Sequence, residues 1–155
     1  MTVCAEGEAI EAIKRLKARY FRLMDTKQWA AYRQLFADDM VFYFESDDAP
    51  AAVCADEFVA HVRGRLATAT SVHHGHTPEI ELTSADSARG VWAMSDWVDD
   101  PDHHRAFQGF GHYHEEYRRG EDGQWRISQL RLSRLRVDDV APSSGAVSRS
   151  TPAPR

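Results

Sequence analysis

The chain has 155 residues, 43% of them hydrophobic and 28% charged, a balance that suits one globular domain with one core. Its 24 acidic and 19 basic residues leave a formal net charge of -5, which argues against a nucleic-acid partner. No apolar run approaches the ~20 residues of a membrane span, and no basic-then-apolar leader is visible, so a cytoplasmic protein with no membrane partner is expected. The two cysteines, Cys4 and Cys54, lie far apart without metal spacing and read as reduced thiols.

Residues 6–25 predict a helix. Ala9, Ile10, Ile13, Leu16, Tyr20 and Met24 recur at three- and four-residue steps, with Glu11, Lys14, Arg15 and Arg19 on the other face. Asp25-Thr26-Lys27 breaks the pattern, and Thr26 is placed to cap a second helix over 27–37. Met40-Val41-Phe42-Tyr43-Phe44 reads as a strand. Asp56 is placed to cap a third helix, 56–67, buried through Phe58, Val59, Val62 and Leu66. Residues 73–83, 87–98, 105–119 and 124–137 are strand candidates, the last two joined by Gly120-Glu121-Asp122-Gly123 as a hairpin turn. The Asp99–His104 segment reads as a solvated loop. Beyond Val140 the composition is Pro, Ser, Ala and Arg, so 1–140 is read as one domain and 141–155 as a disordered tail. Helices followed by meandering strands predict an α+β fold, a curved antiparallel or mixed sheet wrapped around three N-terminal helices with a concave apolar cavity.

Chemistry concentrates in Ser71-Val72-His73-His74-Gly75-His76, at the mouth of a strand. Histidine is the side chain best matched to proton transfer near neutral pH. Asp25 closes the first helix and could orient such a base. Tyr20 fits either a core tyrosine or a hydrogen-bond donor. Asp96 alternates with Trp92 and Met94, so all three share a face. It is a pocket carboxylate if that face lines the cavity and a surface charge if the sheet is flipped. His112 and His114 have the i, i+2 spacing of a metal pair, with His103, His104 or Glu116 as third ligand, yet Gly109, Gly111, Tyr113 and Tyr117 occupy the opposite, cavity-like face. One of the arginines Arg126, Arg131, Arg134 and Arg136 could face the cavity and hold an anionic oxygen. No phosphate loop, Gly-x-Ser-x-Gly elbow, Cys-x-x-Cys pair or dinucleotide fingerprint is present. What remains is proton chemistry without metal or organic cofactor: elimination, isomerisation or cyclisation.

Tyr20…Asp25, Trp29…Leu35-Phe36-Ala37-Asp38-Asp39, His73-His74-Gly75 leading into Ile80-Glu81-Leu82, Gly109-Phe110-Gly111-His112-Tyr113 and Tyr117 before Asp122-Gly123-Gln124-Trp125-Arg126-Ile127 resemble the nuclear transport factor 2-like superfamily. Within it the chain resembles the SnoaL-like group of scytalone dehydratase, bile-acid 7α-dehydratase and hexachlorocyclohexane dehydrochlorinase over about residues 6–138. The resemblance implies a cone-shaped α+β barrel with an internal cavity. It also implies a His–Asp base, selecting His73 with Asp25, and adds Tyr20 and Asp96 as further catalytic positions. The group's last-strand arginine would fall near Leu130, and Arg134, on the same face as Leu130 and Leu132, is the expected substitute. Trp92, Met94, Tyr113 and Arg134 are the expected substrate-binding residues. The implied function is a lyase of the dehydratase type acting on an apolar cyclic molecule such as a steroid or polyketide, in a homo-oligomer (dimer or trimer). The alternatives are an isomerase or cyclase, or a non-catalytic module such as the small subunit of a ring-hydroxylating oxygenase.

Overall fold

In a computed structural model, which describes residues 3–45 and 47–143, the first helix α1 runs Val3–Asp25. Its apolar stripe is buried at Ile13, Leu16, Tyr20, Leu23 and Met24, each worth about 1.5–3 kcal/mol when fully removed from water. Thr26 does not cap the next helix. Its hydroxyl instead donates back to the Arg22 carbonyl (2.7 Å), and α1 ends in a Schellman turn with Lys27 N–H on the Met24 carbonyl and Gln28 N–H on that of Leu23. Lys27 occupies the left-handed position of that turn, φ 60°, where glycine is usual.

The second helix is shorter than its apolar spacing predicts. α2 spans only Trp29–Arg33, and the chain enters strand β1 (Phe36–Phe44) directly. Pairing decides this: Phe36 aligns with Ile127 of the last strand, whose N–H donates to the Leu35 carbonyl (2.9 Å). Phe36 and Met40 bury while Asp38 and Asp39 stay exposed. The third helix, α3 (Ala55–Leu66), has Cys54 rather than Asp56 at its N-cap, and Asp56 instead accepts from Arg33 Nε (2.8 Å). Cys54 is a free thiol.

The remaining strands are β2 (Thr70–Leu82), β3 (Ser87–Asp100), β4 (Arg105–Arg119) and β5 (Trp125–Asp139). They form one mixed sheet in the order β1-β5-β4-β3-β2, with β1 parallel to β5 and the other pairs antiparallel. The fold is α+β and of the expected type, but the sheet does not close into a barrel; β1 and β2 are its two edges. Bulges at His76/Glu79, Phe110/Gly111 and Glu116/Tyr117 interrupt the ladders, the device by which long strands bend. α3 covers the β1 end through Phe58, whose ring lies 4.9 Å from Phe42 and 5.0 Å from Phe36. A cavity opens between α1, α3 and the sheet.

Asp99 and Asp100 are not solvated. They end β3 and are buried, Asp99 accepting the Ser143 N–H (3.1 Å) and Asp100 the Thr68 hydroxyl (3.1 Å). Only Pro101–His103 forms the turn. From residue 144 on, the expected tail lies outside the described residues. No described helix is long and apolar enough to cross a membrane.

Candidate active site

Asp25 sits in the last turn of α1, where the helix dipole disfavours a negative charge. Its carboxylate is therefore held by contacts from β2. The His73 backbone N–H donates to Oδ2 (2.8 Å), and the Ser71 hydroxyl to Oδ1 (2.9 Å). Lys27, carried round by the Schellman turn, donates to the same hydroxyl (2.8 Å). His73 Nδ1 lies 2.6 Å from Asp25 Oδ1. A carboxylate accepts only, so Nδ1 carries a proton in this network. His74 and His76 are exposed, as period-two alternation along β2 requires once His73 is buried.

His73 Nε2 lies 3.9 Å from Asp96 Oδ2, beyond a hydrogen bond and close enough for charge to be felt. Asp96 is 4% exposed and is gripped by Arg134 through two parallel bonds, Nη1 to Oδ1 (2.7 Å) and Nη2 to Oδ2 (2.6 Å), the strongest geometry for this pair. Burial works against the Arg134 charge, but Asp96 outweighs it and holds the guanidinium more firmly protonated than usual. The grip needs Gly109, opposite Asp96 on β4, because a Cβ there would stand 2.3 Å from both Arg134 Nη1 and Asp96 Oδ1. Gly109→Ala is expected to part the two side chains and cost about 1–3 kcal/mol. Activity should fall further than stability, as turnover and urea melts on the same variant would measure.

The cavity has a volume of about 460 Å³. His73, Asp96, Arg134, Tyr20, Tyr113 and Met24 line its inner end, and Phe42, Phe58, Val62, Leu66, Leu130 and Leu132 supply apolar walls. Burial pushes the Tyr20 and Tyr113 phenols well above their usual range. Both stay protonated donors at any ordinary pH.

Two residues expected at the cavity lie elsewhere. Trp92 and Met94 share the Asp96 face, yet neither lines the cavity. Trp92 packs at the Tyr117 end and donates from Nε1 to the Tyr117 oxygen (2.8 Å), while Met94 sits behind Arg134, its sulfur 3.6 Å from Nη1. His112 and His114 lie on the opposite face from Tyr113, His114 against the Ser133 hydroxyl (3.2 Å). Among the described residues no three His, Cys, Asp or Glu side chains converge as metal ligands.

Behind the cavity is a cluster that residue types alone did not single out. Lys17, 0% exposed, donates to Glu115 Oε1 (2.5 Å), and Tyr117 donates to Glu115 Oε2. The ammonium lies 3.8 Å from the Tyr20 ring centre and 3.7 Å from that of Tyr113. Burial lowers the Lys17 pKa to about 8, with Glu115 opposing. The signal was in the spacing: Lys17 falls on the Ile13–Tyr20 stripe, and Glu115 alternates with Tyr113 and Tyr117.

The SnoaL-like domain family matches residues 5–131. This chain belongs to that family. It is 27% identical over 147 residues to Probable cyclase FGR4 of Gibberella zeae, covering 87% of this chain and 95% of that protein. Among solved structures, it superimposes on a protein provisionally named scytalone dehydratase from Novosphingobium aromaticivorans with TM-score 0.80 at 17% identity, covering 94% of this chain and 99% of that one. The type 3 hexachlorocyclohexane dehydrochlorinase LinA of Novosphingobium barchaimii gives TM-score 0.77 at 17% identity, over 94% and 97%. At such identities these likenesses establish the nuclear transport factor 2-like fold of this SnoaL-like chain.

Proposed function

We propose that this SnoaL-like protein is a dehydratase that needs no metal or organic cofactor and acts on an apolar cyclic hydroxy ketone of the steroid or polyketide kind. The observation that carries the reading is His73, fixed through Nδ1 by Asp25 at 2.6 Å, with Nε2 directed at a buried carboxylate 3.9 Å away. Asp25 sets the tautomer, so Nε2 can take a proton from the carbon beside a carbonyl. The imidazolium that forms then stands between two carboxylates, Asp25 and Asp96, which stabilise it until its proton passes to the departing hydroxyl, which leaves as water. Arg134 pairs with Asp96 in an apolar setting, where an unpaired carboxylate would be costly. As an acceptor, Asp96 orients a substrate hydroxyl. The Tyr20 phenol, kept protonated by burial, donates to the leaving oxygen or to the developing enolate. That His73 stands on β2, Asp25 and Tyr20 on α1 and Asp96 on β3, all on regular elements, supports a preorganised site.

A cyclase is the second reading, favoured by the relationship to the protein named as a cyclase. The same base would form an enolate, and ring closure would replace loss of hydroxide. A panel of alicyclic β-hydroxy ketones and open polyketide mimics, followed by mass spectrometry, separates the two. Loss of water from the ring alcohols supports the dehydratase. Ring alcohols returned unchanged, with open chains cyclised, would replace that reading. Tyr20→Phe removes one donor and is expected to slow turnover about 10²-fold, in kcat rather than KM.

A further inference from the structure

We infer that the outer end of the cavity is a second subsite, built from Arg105 and Arg65 to hold a carboxylate at the far end of the substrate; this rests on the cavity being the substrate site. Both arginines and His61 line the cavity. The distance from the base follows from register. His73 pairs with Asp96 and Asp96 with Gly109, so Arg105, four residues further along β4, lies about 13 Å from the catalytic end at the rise of a strand. Phe107 bridges the interval, its ring 5.7 Å from the Arg105 guanidinium carbon and 5.9 Å from that of Arg134. Between the two arginines the walls are apolar, through Val98, Leu66 and Phe107. The shape suits an elongated apolar skeleton with a reactive hydroxy ketone at one end and an acid at the other.

A purely structural account of Arg105 uses only part of it. Its Nη2 donates to the Arg65 carbonyl (3.1 Å), closing the C-terminal turn of α3. Its Nε is buried with no hydrogen-bond partner, and is the one such side-chain atom among the described residues. Buried donors are almost always satisfied, and no carboxylate among the described residues pairs with Arg105, so its charge at the cavity wall is left for an anionic ligand to meet. Arg65 adds a second charge, close enough to His61 to disfavour protonation of that ring, which burial already opposes. Besides Asp96, two acids line the cavity. Glu45 is engaged by the Arg134 N–H (3.1 Å), at the other end. Asp139 is exposed and forms no ion pair with Arg65 or Arg105. The excess charge at this end is therefore positive.

Calorimetry with 4′-hydroxybiphenyl-4-carboxylate and its neutral carboxamide tests the subsite without turnover. The two share a rigid apolar rod and differ at one end, where a charged acceptor is replaced by a neutral amide. The carboxylate is expected to bind the full chain about tenfold more tightly or better. Arg105→Met should erase that preference and leave the carboxamide affinity unchanged, which also reports an intact cavity. Arg65→Met changes an exposed side chain and should reduce the preference about threefold even if Arg105→Met does not fold. His73→Ala should keep the preference, so a failure of the dehydratase reading would appear in turnover and not here. Equal affinity for the two rods, no binding of either, or a preference that survives both arginine changes would overturn the subsite.

Discussion

Asp25→Asn and His73→Ala are each expected to lower turnover by about 10⁴-fold while leaving the chain folded. The asparagine oxygen can still accept the His73 N–H while its NH₂, in place of Oδ1, donates to the Ser71 hydroxyl oxygen, so the end of α1 should hold its place. What it loses is charge and certainty of tautomer. An amide NH₂ facing Nδ1 favours the proton on Nε2, and the base is then masked. Alanine at 73 removes the acceptor itself. Because the two side chains act as one unit, the double variant should be little slower than the slower single one. Turnover measured on all three variants, with circular dichroism on each, checks this. Additive losses would mean that Asp25 and His73 work separately.

Lys17→Met should have the largest effect on stability, about 3–5 kcal/mol. The change leaves Glu115 buried with no cation, and a lone carboxylate cannot regain its hydration beneath Tyr20 and Tyr113. Lys17→Met with Glu115→Leu should recover most of the loss, since Tyr117 and Trp92 still bond to each other. Urea unfolding of wild type, the single variant and the double variant gives the comparison. A single variant as stable as wild type would show that the pair contributes nothing. The cost of burying such a pair suggests why it lies where it does, with its cation against the rings of two cavity tyrosines.

Much of this arrangement can be read from the chain. The α1 stripe, the His73 strand and the alternation of β4 follow from periodicity, because one face of each element must leave water. Asp25 and His73, 48 positions apart, meet because a helix end and a strand start are each legible locally, and the family resemblance supplies their pairing. Three features were not legible. α2 is cut short because Phe36 finds Ile127 in a strand 91 positions away, and no local propensity reports that contact. Trp92 and Met94 have the correct face but the wrong depth, since alternation fixes which side a residue takes and not how far along the sheet the cavity extends. Arg134 was selected by its face, but its grip on Asp96 depends on the missing side chain at Gly109 and on the bulge at Phe110/Gly111, both three-dimensional facts.

The central claim is that His73 Nε2 removes a proton from carbon in the step that commits substrate to elimination. It is tested most directly by the isotope effect on kcat/KM for a β-hydroxy ketone deuterated at the position beside the carbonyl, measured for wild type and Asp25→Asn. The account predicts that deuterium slows wild type several-fold and slows Asp25→Asn at least as much, because weakening the base makes proton removal more fully rate-limiting. An isotope effect of one in both proteins, at rates that differ between them, would contradict it and assign His73 and Asp25 to some step other than breaking the carbon–hydrogen bond.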